Sequence, residues 1–533
     1  MKRTGSSVMA VCLNERVSLY LNLFINLILC GFYYAFGGIE AMKFSVFAFG
    51  FALCSELIGS CSFPFGIAAF VNEAKNRMDY KNVLYVRMAG GLLTALTGVI
   101  LPIILIAAGY PLSKLILGSS APSADVQILY ITMILIGIYG LISTGLKWLR
   151  GFYQGMNEET VDKMSQRIFT VAFWVSSFLI MIILVHGFHL NRTYSVYGIC
   201  GGLIIGKLLS LGYYMLFDRM KYKRYRSLAK SQMMPARPKK KVFKDLVNFT
   251  MPSLKIAVIT SLSILALSLC GFRIAEMHSM KYTEASELIA VCGYMIPSLS
   301  ILPVLFGVRA FDENIGEIAA KANDREKTGA AIEKTLIRYL SLALPVSFVF
   351  GCLAPQFVQL FFGTGLDVDA VNILRIFSGE SVLLGMSVLL IQLMIVMDLG
   401  RQSVSYGFIS LLVRIALLFT LPLRFKANGM LYASLGAEFV YLFLCLAKIA
   451  NRLDSDYGKT AVMTFRILLA CLAGNGVFAL VKLAGFDGMS GDRLFDGAVI
   501  AAMIAIAFWA YSFILTLSGI HLFGDQKRKK EKQ

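Results

Sequence analysis

Eight ionisable residues lie inside or at the ends of long apolar runs, where a charge facing lipid costs several kcal/mol and marks a candidate site. Arg309 carries a guanidinium that can hold a pyrophosphate through two parallel hydrogen bonds; it reads either as such a site or as an ordinary anchor at the membrane surface. Lys255 lies two turns into its run behind Pro252, a site or a cation whose stem reaches back to the interface. Arg273 sits near the other end of the same run and reads first as an interface anchor, second as a candidate site. Glu56 is mid-run and needs a cationic partner or a proton; Lys255 is the expected partner. Glu380, beside Ser378 and Gly379, can couple to a proton or Na⁺, or form a structural hydrogen bond. Arg414 and Glu438, mid-depth on consecutive runs, are expected to form a structural ion pair. Lys207 has no clear role on sequence grounds.

The segments that position these groups are membrane spans. Of the 533 residues, 57% are hydrophobic and 16% charged, too little charge for the surface of a soluble protein of this length. Apolar runs of about twenty residues recur, each long enough to cross the hydrocarbon as a helix, and no barrel-type alternation is present. Fourteen spans begin near Val17, Lys43, Val83, Val126, Ile168, Val196, Leu246, Glu284, Thr335, Asn372, Ser403, Gly429, Thr460 and Phe495. Met1–Arg16 is too polar for a signal-peptide core, so the first span is expected to be retained.

Between the sixth and seventh spans lies Arg219–Lys244, with 11 Lys or Arg, expected to be a solvated, irregular cytoplasmic connector. With both termini inside, the cytoplasmic segments hold about 38 of the 51 Lys and Arg and the outer loops about 10, as the positive-inside rule requires. The net charge of +19 is therefore orientation charge facing anionic lipid, and no recognition motif for nucleic acid accompanies it. The ten cysteines and four histidines form no metal-type spacing, so no metal or cofactor is expected beyond a coupling ion. A nucleotide-binding loop and a nucleophile–base arrangement are likewise absent from the sequence, so it does not read as an enzyme.

An internal repeat is visible. VNEAKNRMDYK (Val71–Lys81) precedes a span with a Leu-Pro at Pro102 and an LILG ending at Gly118; GEIAAKANDREK (Gly316–Lys327) precedes one with Pro345 and LFFG ending at Gly363. Asp79 and Asp324, Gly118 and Gly363, and Gly155 and Gly400 share an offset of 245. Six spans separate the halves, so the repeats have the same orientation. The expected fold is an all-α polytopic membrane protein: residues 1–218 as a first lobe, 219–245 as connector, 246–450 as a second lobe, and 451–533 as two extra spans with a basic tail.

At these residues the chain resembles the multidrug/oligosaccharidyl-lipid/polysaccharide exporter superfamily, most closely its polysaccharide-biosynthesis and stage V sporulation protein B branch, which includes lipid II flippases. The resemblance is carried by RGFYQGMNEETVDKMSQR (Arg150–Arg167), PFGIAAFVNEAKNRMDYK (Pro64–Lys81), IPSLSILPVLFGVRAFDENIGEIAAKAND (Ile296–Asp324) and LAPQFVQLFFG (Leu353–Gly363). The first span lacks the family's Gly-rich, Arg-containing start, and Arg309–Glu313 stand where the family has a Pro-x-Ser turn. The resemblance implies two six-helix lobes in a V that rock about a central cavity, with Arg309 on its wall. It implies an undecaprenyl-pyrophosphate-linked saccharide such as lipid II as cargo, in the cytoplasmic membrane, with membrane lipids and cell-wall synthesis proteins as partners. The alternative substrates are other lipid-linked glycans or, by a cation-coupled route, amphipathic cations. Two further readings stand beside transport: an integral-membrane glycosyltransferase, and a non-transporting scaffold of envelope assembly.

Overall fold

The computed structural model describes residues 15–517 apart from 61–62, 233–236, 278–279, 301, 305, 308–324, 364–368, 398, 454–457, 486–487, 489 and 491. Every regular element among them is helical. The helices used below are α1 (Glu15–Ser60), α2 (Phe63–Asn76), α3 (Tyr80–Ala107), α4 (Gly109–Leu117), α5 (Ser123–Gly155), α6 (Glu159–Ile182), α7 (Val196–Ser231), α8 (Lys239–Met277), α9 (Tyr282–Ala290), α10 (Ile296–Ser300), α11 (Arg325–Cys352), α12 (Ala354–Phe362), α13 (Ala370–Val396), α14 (Gly400–Thr420), α15 (Pro422–Leu453), α16 (Gly458–Leu483) and α17 (Arg493–Leu517).

Among the described residues, twelve helical segments are long and apolar enough to cross a membrane. Two further spans complete the expected set. Gly38, at φ 64°, divides α1 into two stretches each long enough to cross. The eighth span begins at α9 and continues through a π-turn, Val291–Met295, into α10.

The repeat holds at the level of the backbone. Helix α3 becomes α11, and α4 becomes α12, with every boundary displaced by 245 residues. Each short second helix ends on a glycine with positive φ and extended ψ: Gly118 (87°, −177°) and Gly363 (74°, −160°). Only glycine occupies that region without strain, so the same stop is written into both halves.

Contacts group the chain into two compact units, residues 32–294 and residues 1–31 with 295–533. The boundaries fall inside α1 and inside the eighth span, rather than at the basic connector. The first unit's core at the connector end gathers Ile67, Val71, Val83, Phe152, Tyr153, Tyr214 and Tyr225. The second unit's core runs through Leu336, Tyr339, Leu389, Leu393, Cys445, Ile449 and Tyr511.

The expectation of an irregular connector is corrected. Helix α7 continues to Ser231 and α8 already starts at Lys239. The reason is an apolar face beneath the charge: Tyr225 is 6% exposed and its ring meets Phe152 edge-on at 5.9 Å. Lys221 pairs with Glu158 at 3.3 Å, so one face of the helix packs while its other cations remain in solvent. Asp79 engages described residues on either side of the link: its carboxylate accepts from Gln232 Nε2 at 2.9 Å and the Arg237 backbone N–H at 3.4 Å, as well as from Asn82 Nδ2 at 2.6 Å.

Candidate functional site

In the unit of residues 32–294, three helices that run in the same direction bring one acid and two bases together. Glu56 lies one turn from the end of α1, Lys147 two turns from the end of α5, and Lys207 in the membrane-spanning part of α7. Lys207 Nζ stands 3.0 Å from Glu56 Oε1 and Lys147 Nζ 3.7 Å from Glu56 Oε2. The Tyr139 and Ser143 hydroxyls each donate to Oε1 at 2.6 Å. Lys147 also donates to the Ser55 carbonyl, and Lys207 lies over the Phe169 ring at 4.6 Å. The lysine side chains are 3% and 10% exposed and the glutamate 28%, so the acid is the open face of the cluster. Its fixed charge is one negative against two positive, a net positive site in a medium that penalises unpaired charge.

The expected partner of Glu56 is therefore corrected. Lys255 is exposed on α8, and Glu56 takes Lys147 and Lys207 instead, which also gives Lys207 a role. Lys147 had no assigned role on sequence grounds. The missing signal was that α5 continues unbroken to Gly155, which draws Lys147 two turns inward. Gly59 leaves the space the Lys147 stem occupies, since a Cβ there would overlap it.

Arg273 donates to the Leu115 carbonyl at 3.0 Å and to Glu276 at 2.8 Å, and its side chain is 42% exposed at the end of α8. Arg309 lies outside the described residues. In the other unit, Arg414 meets Glu438 at 3.2 Å, and Glu380 Oε1 lies 4.0 Å from the same guanidinium nitrogen. Sequence reading kept Glu380 apart from that pair; three helices, α13, α14 and α15, join them.

Two more buried clusters escaped the sequence reading because their members sit at span ends. At the end away from the connector, Lys43, 1% exposed, pairs with Asp125 at 2.6 Å, and Tyr282 donates to the same carboxylate at 2.7 Å. At the connector end, Arg87 pairs with Asp218 at 2.8 Å under the rings of Trp148, Phe152 and Tyr222. Among the described residues no group of three or more His, Cys, Asp or Glu is placed to hold a metal ion.

These features define a polytopic α-helical membrane protein in which α3 and α4 recur as α11 and α12 at an offset of 245 residues. A similar fold occurs in solved transporters. A lipid II flippase, MurJ, in an inward closed conformation matches at 12% identity over 94% of this chain and 98% of its own, with a TM-score of 0.64. A multidrug resistance MATE family transporter of the MOP superfamily, inward-facing, matches at 15% identity over 81% and 95%, with a TM-score of 0.61. A eukaryotic MATE transporter matches at 13% over 84% and 94%, with a TM-score of 0.56. No protein-family model matches the sequence. No curated protein matches it either.

Proposed function

We propose that this protein is a transporter that flips an undecaprenyl-pyrophosphate-linked saccharide, lipid II first among them, across the cytoplasmic membrane by alternating access. The observation that carries the reading is the charge of the Glu56 cluster. A cation exporter needs an acid free to pair with its cargo; the Glu56 carboxylate, though the most exposed of the three groups, already has both oxygens engaged by Lys147, Lys207, Tyr139 and Ser143, and the cluster's excess charge is positive. Lys255 and Arg309 add cations, and Arg273 remains a candidate although Glu276 shares its charge.

The extent of the fold likeness adds support. Residues 451–533 make up 83 of the 533. A match over 94% of the chain leaves about 32 residues uncovered, so the likeness to the flippase takes in part of the last two spans. The proposal sets both termini on the cytoplasmic side and assigns no enzymatic step to the protein.

The test is depletion of the protein in its own host while lipid II is followed on each face of the membrane. Accumulation on the inner face, relieved by wild type and not by Arg309→Ala, is the expected result. Lipid II that still reaches the outer face during depletion would overturn the lipid II assignment and return the cargo to another lipid-linked glycan or a small cation.

A further inference from the structure

The Glu56 cluster holds more donors than one acid needs. Tyr139, Ser143 and Lys147 follow one another at four-residue spacing and so share one face of α5. With Lys207 from α7 they place two ammonium groups and two hydroxyls around a single carboxylate. These donors are fixed in place. Tyr139 and Ser143 are buried, Lys147 is held by the Ser55 carbonyl, and Lys207 is seated over the Phe169 ring. Glu56 is the member with an open side, so an approaching anion meets its carboxylate before it meets either lysine.

Charge decides what that anion can do. A singly charged phosphodiester, the headgroup charge of phosphatidylglycerol, would exchange one negative charge for another. It gains nothing to offset the work of displacing a carboxylate that already has its partners. A diphosphate diester brings two negative charges for the two lysines, and its four non-bridging oxygens also accept from both hydroxyls. That match is complete only once Glu56 has turned out through the open side. A carboxylate left in place opposes either anion as a like charge, which costs several kcal/mol. Discrimination by such a repulsive element is the usual complement to attractive contacts.

We propose that Glu56 is a specificity-determining residue: a built-in counter-ion that keeps singly charged headgroups off Lys147 and Lys207 and yields its place to a diphosphate. The inference rests on the reading of the cargo above as a diphosphate-linked lipid.

Thermal melting of the full chain in neutral detergent tests it with two probes. One is UDP-glucose, a soluble diphosphate diester; the other is dioctanoyl phosphatidylglycerol, with dioctanoyl phosphatidylcholine as the control for its chains. Wild type should be stabilised by UDP-glucose, and phosphatidylglycerol should need a concentration at least about tenfold higher for the same shift. In Glu56→Gln the two probes should act within about threefold of each other, because the lysines are then open to either. Lys147→Met, which leaves a neutral cluster, should lose the diphosphate shift. A wild type that ignores UDP-glucose or answers both probes equally overturns the proposal. So does a Glu56→Gln variant that keeps the wild-type preference. If that variant does not fold, Lys147→Met decides, and a diphosphate shift that persists there overturns the proposal. Lipid II that still reaches the outer face during depletion, with probe discrimination intact, removes only the lipid II assignment. Lipid II trapped inside, with discrimination absent, removes only the role given to Glu56.

Discussion

Lys207 Nζ lies 3.0 Å from Glu56 Oε1, and Lys147 approaches the other oxygen of the same carboxylate at 3.7 Å. Three helices, α1, α5 and α7, are thereby tied together through one acid. Removing the acid leaves two buried ammonium groups facing each other. Glu56→Gln should destabilise the protein by about 3 kcal/mol, the lower end for breaking a buried pair. Adding Lys207→Met to that variant should recover part of the loss, so a double-mutant cycle on thermal melting in detergent measures the coupling. Additive effects of the two substitutions would show that the contact is not energetically used.

At the opposite end of the same unit, Tyr282 and Lys43 converge on Asp125. Tyr282→Phe removes one hydrogen bond to a charged acceptor and should cost about 2 kcal/mol. Lys43→Met leaves Asp125 without its cation and should cost more, about 3–5 kcal/mol. Chemical unfolding of the two variants checks the order as well as the size.

Acidification should loosen the connector before it affects the bundle. Partial burial pushes the Asp79 carboxyl up, but hydrogen bonds from Gln232, Asn82 and the Arg237 backbone outweigh it and hold the group below the ordinary aspartate value. A folded value below the unfolded one means that the stabilisation is present above the unfolded value and is lost as pH falls through the folded one. Hydrogen exchange of residues 228–240 should therefore accelerate on the acid side, below about pH 4. Asp79→Asn should show fast exchange there already at neutral pH, with no further acid response.

Helix α5 passes α2 at backbone contact. A Cβ on Gly151 would lie 2.5 Å from the Pro64 carbonyl oxygen and 2.8 Å from its Cα, and one on Gly155 2.7 Å from the Ala68 oxygen. Backbone cannot yield as a side chain does, so Gly151→Ala should cost about 1–3 kcal/mol. Gly212→Ala, where nothing lies within 4 Å of the added carbon, serves as the neutral control in the same melting assay.

The paired stops after α4 and α12 should respond alike. Gly118→Ala and Gly363→Ala each force an L-residue into positive φ, at about 1–3 kcal/mol apiece. Since the two lie in different units, the double variant should show the sum of the two losses. A large departure from additivity would mean that the turns do not act independently.

Much of this architecture is local and was legible in the chain. Hydropathy over twenty-residue windows marks spans because lipid demands internally bonded, apolar helices. The 245-residue offset shows in Gly118 and Gly363 because a positive-φ stop restricts residue type wherever it recurs. The connector misled because charge predicts solvation, whereas Tyr225 buries one face of α7 beneath that charge. Apart from Arg414 and Glu438, whose pairing was legible from similar depth on consecutive spans, partner choice was the part that only tertiary structure decided. Glu56 could have met any cation of similar depth, and Glu380 any hydroxyl or base. Residues 56, 147 and 207 lie on three helices far apart in sequence, and so do 380, 414 and 438. Which side chains meet depends on how each helix is rotated and packed against its neighbours, a property of the whole bundle that no single span encodes.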